Sequence, residues 1–224
     1  MEVAFKVPTE LSEIRLSDYQ KFISIVENED NDLFVRQKMV QIFCDVPLLA
    51  VSRMKRKDFI SISNSLTETL QSKNDLIPTI SINGQEFGFV PNLDKIQLGE
   101  FTDLDKYLSN WSDFHKAMAV LYRPITSKIK NKYLIEEYQG SDKYSSLMKG
   151  ITMDVVMGAV LFFWTLSRQL LTIIPKYLEQ LAKGQKEALM DLEKNGGGIN
   201  TFISSLEETC SKLMKLSGYQ LGRL

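Results

Sequence analysis

The side chains able to do chemistry are few and widely spaced. The chain holds one histidine, His115, and two cysteines, Cys44 and Cys210. His115 is a candidate general base or metal ligand. No second histidine, cysteine pair or His-Glu-x-x-His spacing accompanies it, so the reading is a hydrogen-bonded structural histidine. Structural zinc needs four nitrogen or sulfur ligands, and the cysteines lie far apart without a Cys-x-x-Cys pair. Each sits in an apolar helical pattern and is expected to be a reduced core thiol in a reducing compartment. Glu136 and Glu137 are adjacent carboxylates, but neighbouring side chains diverge on a helix or a strand, so no acid–base pair is expected. Arg123, after Tyr122, is expected to pair with Asp103 or Asp105 and pin a helix to a loop rather than to hold a phosphate. The run Gly196-Gly197-Gly198 lacks the strand before it and the Lys-Ser/Thr after it that a phosphate loop requires. Asp103, His115 and Arg123 are therefore read as structural pins. The chain is read as no enzyme, with no catalytic, cofactor or metal residue assigned.

Composition narrows the classes further. Of 224 residues, 27 are Lys or Arg and 28 Asp or Glu, a formal net charge of −1. That balance lacks the electrostatic footprint of a nucleic-acid binder, so no nucleic-acid partner is expected. The 44% hydrophobic and 25% charged content is that of a folded chain with a sizeable core. The start, MEVAFKVPTELSEIRL, has no apolar run and is no signal peptide. Val155 to Ser167 is the most apolar stretch. Thirteen residues fall short of the roughly 20 a membrane helix needs, so it reads as a buried core helix and no membrane partner is expected.

The elements that must position these residues follow from periodicity. Residues 3–7 alternate and suggest a short edge strand ending at Pro8. Ser17 with Gln20 suggests a capping box, opening a helix whose stripe is Leu16, Tyr19, Phe22, Ile23 and Val26. After the acidic ENEDND, Asn31 is expected to cap a second helix carrying Phe34, Val35, Met39, Ile42 and Phe43. Pro47 punctuates, and a third helix turns Phe59, Ile62, Leu66 and Leu70 inward. Arg53, Lys55, Arg56 and Lys57 read as a solvated loop. Residues 79–90 predict a hairpin around Asn83-Gly84, since a two-residue turn requires positive φ at both. A lone hairpin is marginal, so it should pack on helices or pair with residues 3–7.

Residues 99–125, GEFTDLDKYLSNWSDFHKAMAVLYRPI, form the centre of the chain. Leu93, Ile96 and Leu98 are placed in a turn broken by Gly99. Thr102 is expected to cap the acidic Asp103-Leu104-Asp105, favourable at a helix N-terminus. Ser112 is expected to cap a helix carrying Phe114, Met118 and Leu121 that stops before Pro124. Residues 132–138 are ambiguous between strand and helix, and Gly140-Ser141-Asp142 closes that segment. Thr152 is expected to cap a long core helix that Pro175 kinks or ends. Residues 176–194 read as a charged amphipathic helix, and Asn195 to Gly198 as a flexible joint. Beyond it Ile199, Phe202, Ile203, Leu206, Cys210, Leu213 and Met214 form an amphipathic stripe. Such a stripe packs on the domain or, behind a glycine joint, docks on a partner or another copy; Ile199, Phe202, Ile203, Leu206 and Leu213 are the partner-binding candidates. The expected architecture is mainly α with a small β-hairpin (α+β): one helical domain over 1–194, then a joint and C-terminal amphipathic helix over 195–224.

Several segments in order, VPTELSEIRLSDYQKF, MVQIFCDVP, the central block with KYLIEEY, and VVMGAVLFFWTLSRQLL, resemble small structural-operon proteins of tailed bacteriophages. These are the kind labelled tail assembly chaperones or virion-associated proteins. The resemblance covers most of residues 3–171 and is most specific in the central block. It implies a non-enzymatic morphogenesis role: binding a tail or other virion component in the host cytoplasm, with homo-oligomers possible. The alternative is a permanent virion component, a head–tail connector or ring, closed through heterologous interfaces. A peripheral membrane protein built on 151–175 and a small enzyme are further alternatives.

Overall fold

Leu16, Tyr19, Phe22, Ile23 and Val26 recur at helical spacing, and all five are buried along α1 (Leu16–Val26). The structure is a computed structural model and describes residues 5–91, 96–108, 110–130, 132–163 and 165. The described chain divides into two units, the first running to Ala159 and the second beginning at Val160. Within the first, the fold is mainly α with a small antiparallel sheet, as the periodicities predict.

Arg15, extended at φ −82° and ψ 149°, precedes α1, so Ser17 lies inside the helix and no capping box forms. Gln20 is directed elsewhere, as described below. The Asn31 side chain caps α2 (Asp32–Phe43), accepting from the Phe34 N–H at 3.1 Å. This helix buries Met39, Val40 and Phe43. Pro47 precedes a short α3 (Leu48–Ser52), and α4 (Arg56–Leu70) turns Ser63, Leu66 and Thr69 into the interior. Arg56 and Lys57 form the exposed first turn of α4, while Arg53 and Lys55 are the exposed connection before it. The Tyr19 ring meets Trp111 edge-on at 4.8 Å and stacks over Phe43 at 6.4 Å, and Trp111 stacks on Phe114 at 4.6 Å. This aromatic cluster ties α1 and α2 to the central block.

The hairpin forms as β1 (Thr79–Ile82) and β2 (Gln85–Phe89), with Asn83 at φ 52° and Gly84 at φ 79°. Its third strand is not residues 3–7: residues 5–9 are irregular, and residues 3 and 4 lie outside the described residues. The partner is β3 (Tyr122–Ile129), which pairs with β2 from Phe89↔Tyr122 to Phe87↔Pro124. Pro124 ends the preceding helix, as expected, but the chain leaves as a strand rather than a loop. β4 (Lys132–Ile135) settles the ambiguous segment as extended and completes the order β1-β2-β3-β4. A register shift between Ile125 and Ser127 bends the β3–β4 ribbon. The Tyr133 hydroxyl then reaches the Phe89 and Pro78 carbonyls at 2.8 and 3.0 Å.

The central block folds differently from its prediction. Gly99 does not break a turn but lies in α5 (Leu98–Leu108), and Thr102 sits inside it, donating to the Leu98 carbonyl at 2.8 Å. Residue 93 lies outside the described residues. A 3-10 turn at Trp111–Asp113, capped by Asn110 rather than Ser112, leads into α6 (Phe114–Leu121). α6 is buried all round except near Lys116, because α5, α7 (Asp142–Met148) and β3 all pack against it. Gly140, at φ 99°, turns the chain into α7. The segment before α1 then pairs with the one before the last described helix: Leu16 N–H donates to Ile151, and Met153 N–H to Ile14, both at 2.8 Å. That helix, α8, begins at 153, directly after Thr152, and is described to 163. Of the second unit, the Phe162 and Phe163 rings meet edge to face at 5.6 Å. The joint at 195–198, the helix expected over 176–194, and Ile199, Phe202, Ile203, Leu206, Cys210, Leu213 and Met214 lie outside the described residues.

Candidate functional site

Asp103, Arg123 and Glu136 converge where α5, β3 and the segment after β4 meet. Arg123 is 7% exposed and Glu100 3%, and their ion pair is 2.5 Å long. The expected partners Asp103 and Asp105 are not used. Glu100 is three residues after Gln97, and its other oxygen accepts the Gln97 N–H at 2.6 Å, half of a capping box at the start of α5. One carboxylate thus caps a helix and neutralises a strand arginine. Glutamate at the third helical position was the available signal, hidden because the helix was placed to begin later.

The guanidinium also lies over the Tyr138 ring, 5.7 Å from its centroid. Tyr138 donates its hydroxyl to Asp103. Burial first, then that hydrogen bond, pushes the phenol well above its ordinary value. Glu136 accepts from Lys143 and, at 2.5 Å, from the Tyr144 hydroxyl. The hydrogen bond from Lys143 is the main cause holding its carboxyl below the ordinary range. Tyr144 meets Phe87 edge-on at 5.4 Å, and Glu136 N–H donates to the Pro124 carbonyl at 2.9 Å. Glu137 is exposed and takes no part in these bonds to Glu136's partners. Tyr122 donates to the Ile77 carbonyl at 2.7 Å, and burial raises its phenol as well.

His115 lies apart from this network, 7% exposed on α6. The Gln20 amide nitrogen is 2.6 Å from the Trp111 carbonyl, 3.1 Å from that of Ser112 and 3.1 Å from His115 Nδ1. Two flanking carbonyls require the amide nitrogen rather than its oxygen there, and that nitrogen also lies within hydrogen-bond distance of His115 Nδ1. Burial is the largest cause lowering its pKa, helped by Lys149 and Lys116.

A surface cavity of 390 Å³ is lined by Lys6, Pro8, Ser12, Glu13, Phe43, Cys44 and Asp45. Burial pushes the Cys44 thiol up to about 11, which leaves it almost wholly protonated and weakly nucleophilic at neutral pH. The Lys6 ammonium, 2.5 Å away, holds Glu13 down to about 2. Among the described residues no group of three or more His, Cys, Asp and Glu side chains is placed to hold a metal ion. Among them, too, no helix is long and apolar enough to cross a membrane.

The arrangement ties α5, β3 and the segment after β4 together. Arg123 pairs with the Glu100 carboxylate and lies over the Tyr138 ring, although its buried Nε has no hydrogen-bond partner; Asp103 accepts from the Tyr138 phenol, and the Gln20 amide lies against His115. In comparisons with protein families, curated proteins and solved structures, none matches this chain.

Proposed function

We propose that the chain is a non-enzymatic morphogenesis protein of a tailed bacteriophage, acting by protein–protein interaction in the manner of a tail assembly chaperone. The phage part of this reading rests on the sequence resemblance across residues 3–171. The single structural observation that supports the non-enzymatic part is where the polar groups go: Arg123, Glu100, Asp103, Glu136 and His115 are each bonded to another group of the same chain. Large apolar side chains meanwhile stand in solvent, with Leu98 81% exposed, Ile129 70% and Leu134 62%. Such surface suits the transient holding of a partner.

Quantitative mass spectrometry of purified virions and of infected-cell lysate tests the reading. The expected result is abundance in lysate and absence from virions. Many copies per particle would instead establish the permanent connector or ring component.

A further inference from the structure

Four cations stand together at one corner of the first unit. α3 ends at Ser52 and α4 begins at Arg56, and Arg53, Lys55, Arg56 and Lys57 all lie exposed at that junction. Asp58 is the one carboxylate between residues 46 and 67, so four cations less one anion leave this stretch at +3 in a chain whose sum is −1. Among the described residues, none of the four cations is paired with a carboxylate. Lys128 on the β3–β4 ribbon, by contrast, has Glu86 at 2.6 Å. Cations are favoured at the C-terminal end of a helix and disfavoured at its N-terminal end. Here Lys55, Arg56 and Lys57 open α4, whose N-cap offers no side-chain acceptor. A local rule broken in this way is expected at functional sites.

Apolar side chains are set among these charges. Leu49 is 60% exposed on α3 and lies four residues before Arg53. Ile60, 43% exposed on α4, follows Arg56 by four residues and Lys57 by three. Such spacings make the side chains neighbours on a helix surface. Leu48 adds a third exposed aliphatic chain. Ten of the fourteen residues from Pro47 to Ile60 are exposed, so the corner projects into solvent. Its one aromatic ring, Phe59, is half-buried, whereas single-stranded nucleic acids are held by stacking on exposed rings. Aliphatic side chains gain nothing from a soluble polyanion, but they gain from leaving water for hydrocarbon. Cations around exposed leucines fit the boundary between anionic headgroups and acyl chains.

We propose that the α3–α4 corner docks this protein on the surface of an anionic phospholipid bilayer. Leu48, Leu49 and Ile60 enter the headgroup boundary, and the four cations face the lipid phosphates. The expectation of no membrane partner rests on span length, which a surface contact does not require. The proposal stands on this corner alone and holds whether or not the protein serves a phage.

Co-sedimentation of the full chain with phosphatidylcholine vesicles, with and without phosphatidylglycerol, tests it at low salt. Binding is expected only where phosphatidylglycerol is present, and it should fall as salt rises. Each Lys or Arg near an anionic surface contributes about fivefold, so Lys55→Gln with Lys57→Gln should weaken binding roughly 25-fold. Leu48→Ser with Leu49→Ser leaves the charge alone and should also weaken it. Lys130→Gln with Lys132→Gln removes the same charge from the ribbon tip and should leave binding nearly unchanged. Far-ultraviolet circular dichroism and thermal unfolding check that each variant folds. No binding to phosphatidylglycerol vesicles overturns the proposal, as does binding indifferent to the leucine change. An equal loss from the two lysine pairs overturns it too, since net charge alone would then be acting. Binding to polyuridylate or polyglutamate that needs the corner lysines, with vesicles left unbound, overturns it in favour of a soluble polyanion.

Discussion

Removing the Glu100 carboxylate leaves the Arg123 guanidinium buried without its counter-charge. Breaking one side of a buried pair costs about 3–5 kcal/mol, whereas replacing both members by apolar groups often costs little. Glu100→Gln is therefore expected to lower unfolding free energy by about 3 kcal/mol in urea titration. Adding Arg123→Met should recover part of that loss. A loss below about 1 kcal/mol in the single variant would mean that water reaches the pair. His115 gives a pH signature. Its folded pKa lies below the ordinary 6.5, so the unfolded chain binds more protons in that window. Stability is then complete above about pH 6.5 and falls as pH drops through the interval down to the folded pKa. His115→Gln should flatten this part of the profile. An unchanged slope would place its origin elsewhere. The depressed Glu136 carboxyl acts in a separate window, its contribution lost only as pH falls below 4.5.

At the scale of elements, the sheet depends on a missing side chain. A Cβ on Gly88 would stand 2.4 Å from the Tyr133 ring and 3.1 Å from Ile135 Cγ2. That ring cannot swing away freely, since its hydroxyl is held by the Phe89 and Pro78 carbonyls. Gly88→Ala is expected to cost about 2 kcal/mol in chemical denaturation through overpacking. In a Tyr133→Ala background the same change should cost much less, because the two sites share one contact. Equal costs in both backgrounds would rule out the ring as the obstacle. The same close approach lets β4 fold over β2 and leaves Ile129 and Leu134 facing outward.

At the scale of the whole molecule, charge is nearly cancelled in sum. The buried Glu100–Arg123 pair is shielded from ions, while exposed charges are screened within about 10 Å at 0.1 M salt. Raising salt should therefore leave the thermal unfolding transition nearly in place, and a large downward shift would mean that exposed charges rather than the buried pair carry the electrostatic stability. The interior is shared between an aromatic cluster around Tyr19 and Trp111 and the ion-pair brace around Arg123. Both converge on the central block.

What the sequence determined by itself was set by neighbours in the chain. The Asn83-Gly84 turn, the Asn31 cap and the α1 stripe depend on local φ, local hydrogen bonds and a period of 3.6 residues, so they were legible. The mainly α class with a small sheet followed from the same signals. Tertiary structure alone decided which distant segments meet. It chose Tyr122–Pro124 over residues 3–7 as the strand beside β2, because α6 delivers that segment to the sheet edge already extended by Pro124. It chose Glu100 over Asp103 and Asp105 for Arg123, because α5 starts four residues before Thr102 and carries Glu100 into the interior beside the strand. It took Gln20 out of a capping box and set it on His115, because the carbonyls of Trp111 and Ser112 needed a donor. The class of the fold was a property of periods. The brace was a property of packing, which no local spacing encodes.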